Sequence, residues 1–399
     1  MKNNINKYIS FLKTKFVEPK FIQILFFLML ATLPFVNKIS KLFIVLFLIS
    51  FVVYIYKHKD FHIPKTYKYF FISFFILLLG GNIINSNIVN SLHQYLYLII
   101  FFMVFFSVVY FFQQNILTPK LLLYSLSIPI SLYILDGIIQ YFIGYDILFH
   151  NYLQNGGISS VSKNRNIFGL VVYFFLVAML YLIIEVKKYK TIAWIFFILS
   201  SIVIFLTLSR QIWISMLVFY FILFISYYKI INYKYFMIAI LFILSIITMF
   251  IWIPSLHHRL IDLETLYSSG RFSLWLSIIE QIKQSPILGY SLHSPILLEG
   301  HIPYLYSHNL TLDILYYFGI FGFIFFISFI LYMFRVLYSC KNNILKPYLV
   351  ALFISLIFVQ QQLGASMLIH KFVGPAMMIL FAFIVSQCSN EKFYSKVKH

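Results

Sequence analysis

The sequence predicts an all-α, polytopic membrane protein with about 12 transmembrane helices, and three observations carry that prediction. Hydrophobic residues make up 62% of the 399 residues and charged residues only 10%. Soluble domains run nearer ~45–50% and ~25%, and a soluble surface cannot be built from this composition. The aromatic content of 21% likewise excludes an intrinsically disordered chain. Finally, apolar runs of roughly 17–25 residues recur along the chain, the length that crosses ~30 Å of hydrocarbon. Inside hydrocarbon every backbone polar group must be paired within the segment, so these runs are predicted as helices.

In chain order, residues 1–20 form a cytoplasmic basic arm. Apolar runs follow at 21–36, 40–56, 69–86, 93–112, 121–143, 167–186, 191–208, 211–228 and 234–253. These are transmembrane helices 1–9 of the predicted architecture, spanning 21–253. The first run lacks a small-residue cleavage site and reads as an anchor. A long loop occupies 254–307 and holds four of the eleven prolines. Helices 10–12 follow at 309–334, 348–364 and 372–388, within 308–388, and a tail closes the chain at 389–399.

Orientation follows from charge. With the N-terminus in the cytoplasm, 21 of the 30 Lys and Arg residues fall in inside segments and nine outside. Both termini are therefore expected in the cytoplasm, with the 254–307 loop outside. The net charge of +19 is read as topology and not as a nucleic-acid footprint. Membrane lipids are the expected surroundings. The two cysteines, Cys340 and Cys388, exclude a disulfide scaffold and fall near the cytoplasmic face, so no disulfide is expected.

Within the long loop, Arg271 to Gln284 reads as an amphipathic helix lying on the membrane surface. Phe272, Trp275, Ile278, Ile279 and Ile282 share one face at helical spacing, and Ser285-Pro286 ends it.

Candidate chemistry starts from an anomaly. Lysine fills the inside segments, yet four of the five arginines (Arg165, Arg210, Arg259 and Arg271) lie outside. Arginine offers a rigid fork of donors suited to phosphate oxygens. Arg210 interrupts two apolar runs with almost no loop between them, and a charge so close to hydrocarbon is costly unless paired or facing water. Its plain alternative is an interfacial arginine that snorkels to lipid headgroups. Arg271 opens the loop helix, where anchoring to anionic headgroups competes with ligand binding. Arg259, beside His257 and His258, reads first as loop charge.

His308 stands where the tenth run begins, and Ser307 or Asn309 can cap that helix. A helix start at the membrane edge suits an anion, and an imidazole moves protons near neutral pH. Asp136 and Asp313 sit within apolar runs and either join a functional cavity or bond a neighbouring helix. Asp262 and Glu264 lack an evident third ligand, so arginine and not metal is expected to neutralise phosphate, with no cofactor. No nucleotide-binding loop or serine-nucleophile motif is present.

Three segments together resemble the O-antigen ligase and polymerase superfamily of bacterial inner-membrane glycosyltransferases. They are Leu206-Thr-Leu-Ser-Arg210 before an apolar span, Gly270-Arg-Phe-Ser-Leu-Trp275 through Gln284-Ser-Pro-Ile-Leu-Gly289, and Ser307-His-Asn-Leu-Thr-Leu with Gly319-Ile-Phe-Gly322. Asp136-Gly-Ile-Ile-Gln through Asp146, then Lys163-Asn-Arg-Asn-Ile-Phe-Gly169, is a looser fourth. Many relatives carry His-x-His-Asn where this chain has Tyr306-Ser307-His308-Asn309, so only the second histidine carries over.

The resemblance implies transfer of a glycan from an undecaprenyl-pyrophosphate-linked donor to an acceptor hydroxyl at the periplasmic face of the inner membrane. In the favoured ligase branch the acceptor is a lipid A-core sugar. The polymerase branch extends lipid-linked glycan, and a third branch glycosylates protein. The implied roles are His308 as catalytic base and Arg210 with Arg271 on the pyrophosphate. Lys163, Arg165, Arg259 and Asn309 are possible substrate-binding residues. Direct attack inverts the anomeric centre. A transporter or flippase of lipid-linked sugars is the alternative of another class; it predicts charges deep in the midplane, whereas the candidates here crowd one face.

Overall fold

The computed structural model describes residues 16–35, 38–85, 88–185, 190–227, 251, 254, 257, 271–290, 292, 294–297, 306–342, 345–364, 367–368, 370–371 and 373–389. Among these residues the regular structure is helical. The helices are α1 (Pro19–Thr32), α2 (Lys38–His58), α3 (Lys65–Asn85), α4 (Ile88–Gln113), α5 (Pro119–Ile143), α6 (Arg165–Glu185), α7 (Lys190–Leu206) and α8 (Arg210–Tyr227). They continue with α9 (Arg271–Gln284), α10 (Leu310–Tyr338), α11 (Leu345–Ile354) and α12 (Val373–Cys388). Of the ninth predicted run, 234–253, only residue 251 is described, and Arg259 lies outside the described residues.

Six segments are long and apolar enough to cross a membrane among the described residues: Lys38–His58, Gln94–Gln113, Pro119–Ile143, Arg165–Ile183, Leu310–Tyr338 and Leu345–Leu363. Four apolar helices are shorter: Pro19–Thr32, Lys190–Leu206, Arg210–Ser226 and Val373–Cys388. The chain is thus a multi-pass membrane protein. Its helix boundaries follow local chemistry. At α5, Thr118 Oγ1 accepts the Leu121 N–H at 3.2 Å with Pro119 at the first helical position, and Gly144 closes the helix at φ 87°.

Aromatic side chains set the packing. Antiparallel α3 and α10 join through the Tyr67 and Tyr332 hydroxyls at 2.7 Å, then Phe70 on Phe325 with centroids 4.0 Å apart, then Phe74 on Phe318. Beside them, α12 meets α4 so closely that a Cβ on Gly374 would lie 2.2 Å from the Phe101 ring. The far ends of α10 and α12 converge as well. They bring Cys340 and Cys388 together as a disulfide with Cα atoms 4.1 Å apart, which corrects the expectation of none.

Asp136 belongs to the architecture. Its buried carboxylate accepts Ile147 N at 2.9 Å, Leu148 N at 3.4 Å and Ser160 Oγ at 2.6 Å, and so pins the connection that follows α5. That connection lies against the α7–α8 turn: Ile158 N donates to Leu206 O at 3.1 Å, and a Cβ on Gly157 would meet Thr207 O at 2.5 Å.

Candidate functional site

The site grows from four chain segments that meet at one end of the bundle. The α7–α8 turn supplies Arg210. Leu208 takes φ 54°, an uncommon conformation for a side-chain-bearing residue, and reverses the chain in two residues. Trp213 Nε1 bonds back to Ile204 O at 3.0 Å and locks the reversal. Arg210 therefore emerges half-buried at the first turn of α8.

The α9 segment supplies Arg271, and α9 covers Arg271–Gln284 as the periodicity predicts. Of the predicted stripe, Ile278 is buried and Trp275 and Ile282 are half-buried. Leu274 and Ile278 turn inward, while Phe272 and Ile279 are 44% and 40% exposed. The helix packs on α10, because the Ser285–Tyr290 turn docks backbone to backbone against a break in that helix. Gly319 breaks α10 at φ 61°, ψ −159°. There Ile320 N donates to Pro286 O, and Tyr290 N to Tyr316 O, each at 2.8 Å. A Cβ on Gly319 would sit 2.2 Å from Ile287 O, and one on Gly289 (φ 70°) 2.6 Å from Tyr316 O. The Pro286–Gly289 and Gly319–Gly322 motifs, far apart in sequence, are thus two halves of one joint.

The third segment carries His308. Asn309 caps α10, its Oδ1 accepting Leu312 N at 3.1 Å, so that side chain has a structural task. Asp313 reaches back to accept Ser307 N at 2.7 Å. It thereby supports the His308 turn, a partnership that their five-residue spacing did not reveal. Trp275 Nε1 donates to Ser307 O at 2.9 Å and ties α9 to the same turn. His308 itself has φ 61°, and the Tyr306 ring meets it edge-on at 4.6 Å. A strained backbone held by its surroundings is a mark of functional positions.

The fourth segment was not foreseen. After α11 the helix widens into a π-turn at Ser355–Gln360 and ends at Gln361–Leu363, and such turns are frequent at functional sites. Gln362 Oε1 accepts Thr311 Oγ1 at 2.8 Å, and Gln361 Oε1 accepts Met367 N at 2.8 Å. Arg271 Nη1 donates to Leu363 O at 2.8 Å. From the other side, Gln211 Oε1 lies 3.0 Å from the place a Gly364 Cβ would take. The Arg210 and Arg271 helices therefore converge on residues 360–364. Three consecutive glutamines at the end of an apolar run were the available signal.

His370 completes the cluster and was also missed. Its Nδ1 accepts Val373 N at 3.4 Å, at the start of α12. Burial lowers the His308 pKa to about 4, and the charges of Arg271 and then His370 add to the effect. Burial followed by Lys371 lowers His370 to about 4 as well. Both imidazoles are held in the neutral form at pH 7, chiefly by burial.

Two predicted binding residues have other surroundings. Arg165 is buried, and its Nη1 faces Gln154 O at 3.4 Å and Asn155 O at 3.3 Å. It braces the connection behind the Arg210 turn. Lys163 is exposed on the same connection at φ 54°. No group of three or more His, Cys, Asp or Glu side chains with metal-binding geometry occurs among the described residues.

Residues 195–327 match the family model described as O-antigen ligase. This match supports the O-antigen ligase and polymerase superfamily, whose members are glycosyltransferase-like enzymes of lipopolysaccharide biosynthesis. The matched stretch includes Arg210, Arg271 and His308 and the joint that holds α9 on α10. Among curated proteins none matches the chain.

Proposed function

We propose that this O-antigen ligase-like protein is a ligase acting at the periplasmic face of the bacterial inner membrane, with the twelve-span, cytoplasmic-termini topology read from the sequence. It transfers glycan from undecaprenyl pyrophosphate to a hydroxyl of a lipid A-core sugar. The observation that carries the reading is convergence. Arg271 bonds to residue 363, the Arg210 helix abuts residue 364, and His308 lies near enough to Arg271 for that charge to act on its imidazole.

The reaction follows from those groups. The acceptor oxygen attacks the anomeric carbon as its proton passes to neutral His308. The bond from that carbon to the pyrophosphate oxygen breaks, and the electron pair leaves with undecaprenyl pyrophosphate. Arg210 and Arg271 stabilise the developing charge in place of a metal. Attack opposite the leaving group inverts the anomeric centre. Burial is the main cause of the depressed His308 pKa and the Arg271 charge the next; an anionic donor beside Arg271 offsets that second cause, so donor binding makes the imidazole a stronger base.

The test uses purified full-length protein, lipid-linked glycan and lipid A-core, with and without chelator. Inverted product that is indifferent to chelator supports the proposal. A requirement for added divalent cation overturns the arginine argument. Single repeat units on the core of a deletion strain would assign the chain to the polymerase branch instead.

A further inference from the structure

The aromatic packing of α3 and α10 leaves a cleft between them, bordered by α4 and α12. It encloses about 1210 Å³ of space, counting its open mouth, and its walls are almost wholly apolar. The Tyr67–Tyr332 hydroxyl pair lies at one end. At the other end the walls are Leu98, Ile314 and Leu368, neighbours in sequence of Tyr97, Asp313 and His370.

A second group of cations gathers at that end. The Lys41 Nζ stands 5.7 Å from the centroid of the Tyr97 ring, and the Lys371 Nζ stands 5.5 Å from the same centroid. Lys41 and Lys371 are exposed, and Lys38 lies one helical turn before Lys41. Residues 38–44, 94–101 and 367–375 contain no carboxylate. Two ammonium groups held by one ring repel each other, and the ring's attraction for each is weak at an exposed site. An anion placed between them removes the repulsion. The arrangement brings α2, α4 and the segment before α12 together, a set different from the one that presents Arg210 and Arg271.

We propose that Lys41 and Lys371, both beside the Tyr97 ring at the Leu98 and Leu368 end of the aromatic cleft, hold a phosphate of the acceptor glycolipid, one of whose apolar chains lies along the cleft. The cationic pair binds the headgroup and the phenylalanine walls bind the tail. His308 and His370 are near neighbours of the mouth, so an acceptor anchored there presents its sugar to the transfer site. The identity of the occupant rests on the ligase reading; the anion site does not.

The experiment is native mass spectrometry of the full-length protein in detergent, without glycan donor and without turnover. The protein is titrated separately with bis-phosphorylated lipid A, dephosphorylated lipid A, phosphatidylglycerol and undecaprenyl pyrophosphate. The wild type is expected to prefer the phosphorylated over the dephosphorylated lipid by about tenfold, the order of one charge-assisted contact. Lys41→Gln with Lys371→Gln abolishes that preference, and Lys41→Arg with Lys371→Arg keeps it. Undecaprenyl pyrophosphate binding is unchanged by either pair. Three results overturn the proposal: a preference that survives the glutamine pair, phosphatidylglycerol binding as tightly as lipid A, or a parallel loss of undecaprenyl pyrophosphate. Because no transfer is measured, failure of the ligase reading leaves this readout intact.

Discussion

Gly319→Ala tests whether the joint between α9 and α10 holds the transfer site together. The native φ of 61° with ψ −159° is glycine territory, and forcing alanine into it costs about 1–3 kcal/mol. The new methyl would lie 2.2 Å from Ile287 O and 2.7 Å from Leu288 N, both backbone atoms that no rotamer change can move. Overpacking of this kind costs about 1–3 kcal/mol. Separating the surfaces also breaks the Ile320–Pro286 and Tyr290–Tyr316 hydrogen bonds, each 2.8 Å long and worth about 1 kcal/mol. The sum is on the order of 4–8 kcal/mol.

Releasing α9 is the cheapest way to relieve that load, since the aromatic contacts between α3 and α10 are untouched. The expected variant still inserts, but it exchanges amide hydrogens rapidly over residues 271–290 and loses glycan transfer. Gly144→Ala is the control, because φ is 87° there yet nothing lies within 4 Å of the added methyl. It pays backbone strain alone, about 1 kcal/mol. If Gly319→Ala keeps wild-type exchange protection and wild-type transfer, the joint does not hold Arg271 in place and the reasoning fails.

The remaining predictions concern charge. Arg271→Lys keeps the charge but loses the fork, and transfer in membranes is expected to fall about 100-fold, with Arg271→Ala lower still; unchanged kcat for the lysine variant would remove Arg271 from the chemistry. The kcat/KM profile should show an acid limb near the His308 value of about 4, absent in His308→Gln, whereas the limb in kcat should lie higher because donor binding favours the imidazolium. Stability has the same sign. With folded pKa values of about 4 for His308 and His370 against an ordinary 6.5, the unfolded chain binds more protons between those limits. Stability is therefore full above pH 6.5 and falls as the pH drops towards 4; a melting temperature flat across this window would contradict the burial of both rings. Asp136→Ala orphans three donors and should open residues 144–162 to hydrogen exchange, at a cost of about 3 kcal/mol.

Composition and apolar run length sufficed for the helical membrane class, since twenty apolar residues have few other stable solutions. The α9 boundaries were legible too, because Arg271 follows glycine and Pro286 stops the helix. Arg210 stood out because charge beside hydrocarbon is expensive, Arg271 because it opens the loop helix, and His308 because it stands where a helix begins. Tertiary structure decided the rest. Gln360–Gln362 and His370 read as ordinary polar residues at the end of an apolar run, and only the packing of α11 and α12 sets them beside Arg271 and His308. Leu274 joins the predicted Ile278 on the inward face of α9 because the helix docks on α10, and periodicity names a stripe without naming its partner. Cys340 and Cys388 are 48 residues apart, and their meeting depends on where two long helices end. Local preferences write each helix, but a site made of four segments exists only once distant backbones touch, and at Gly289 and Gly319 they touch where no side chain fits.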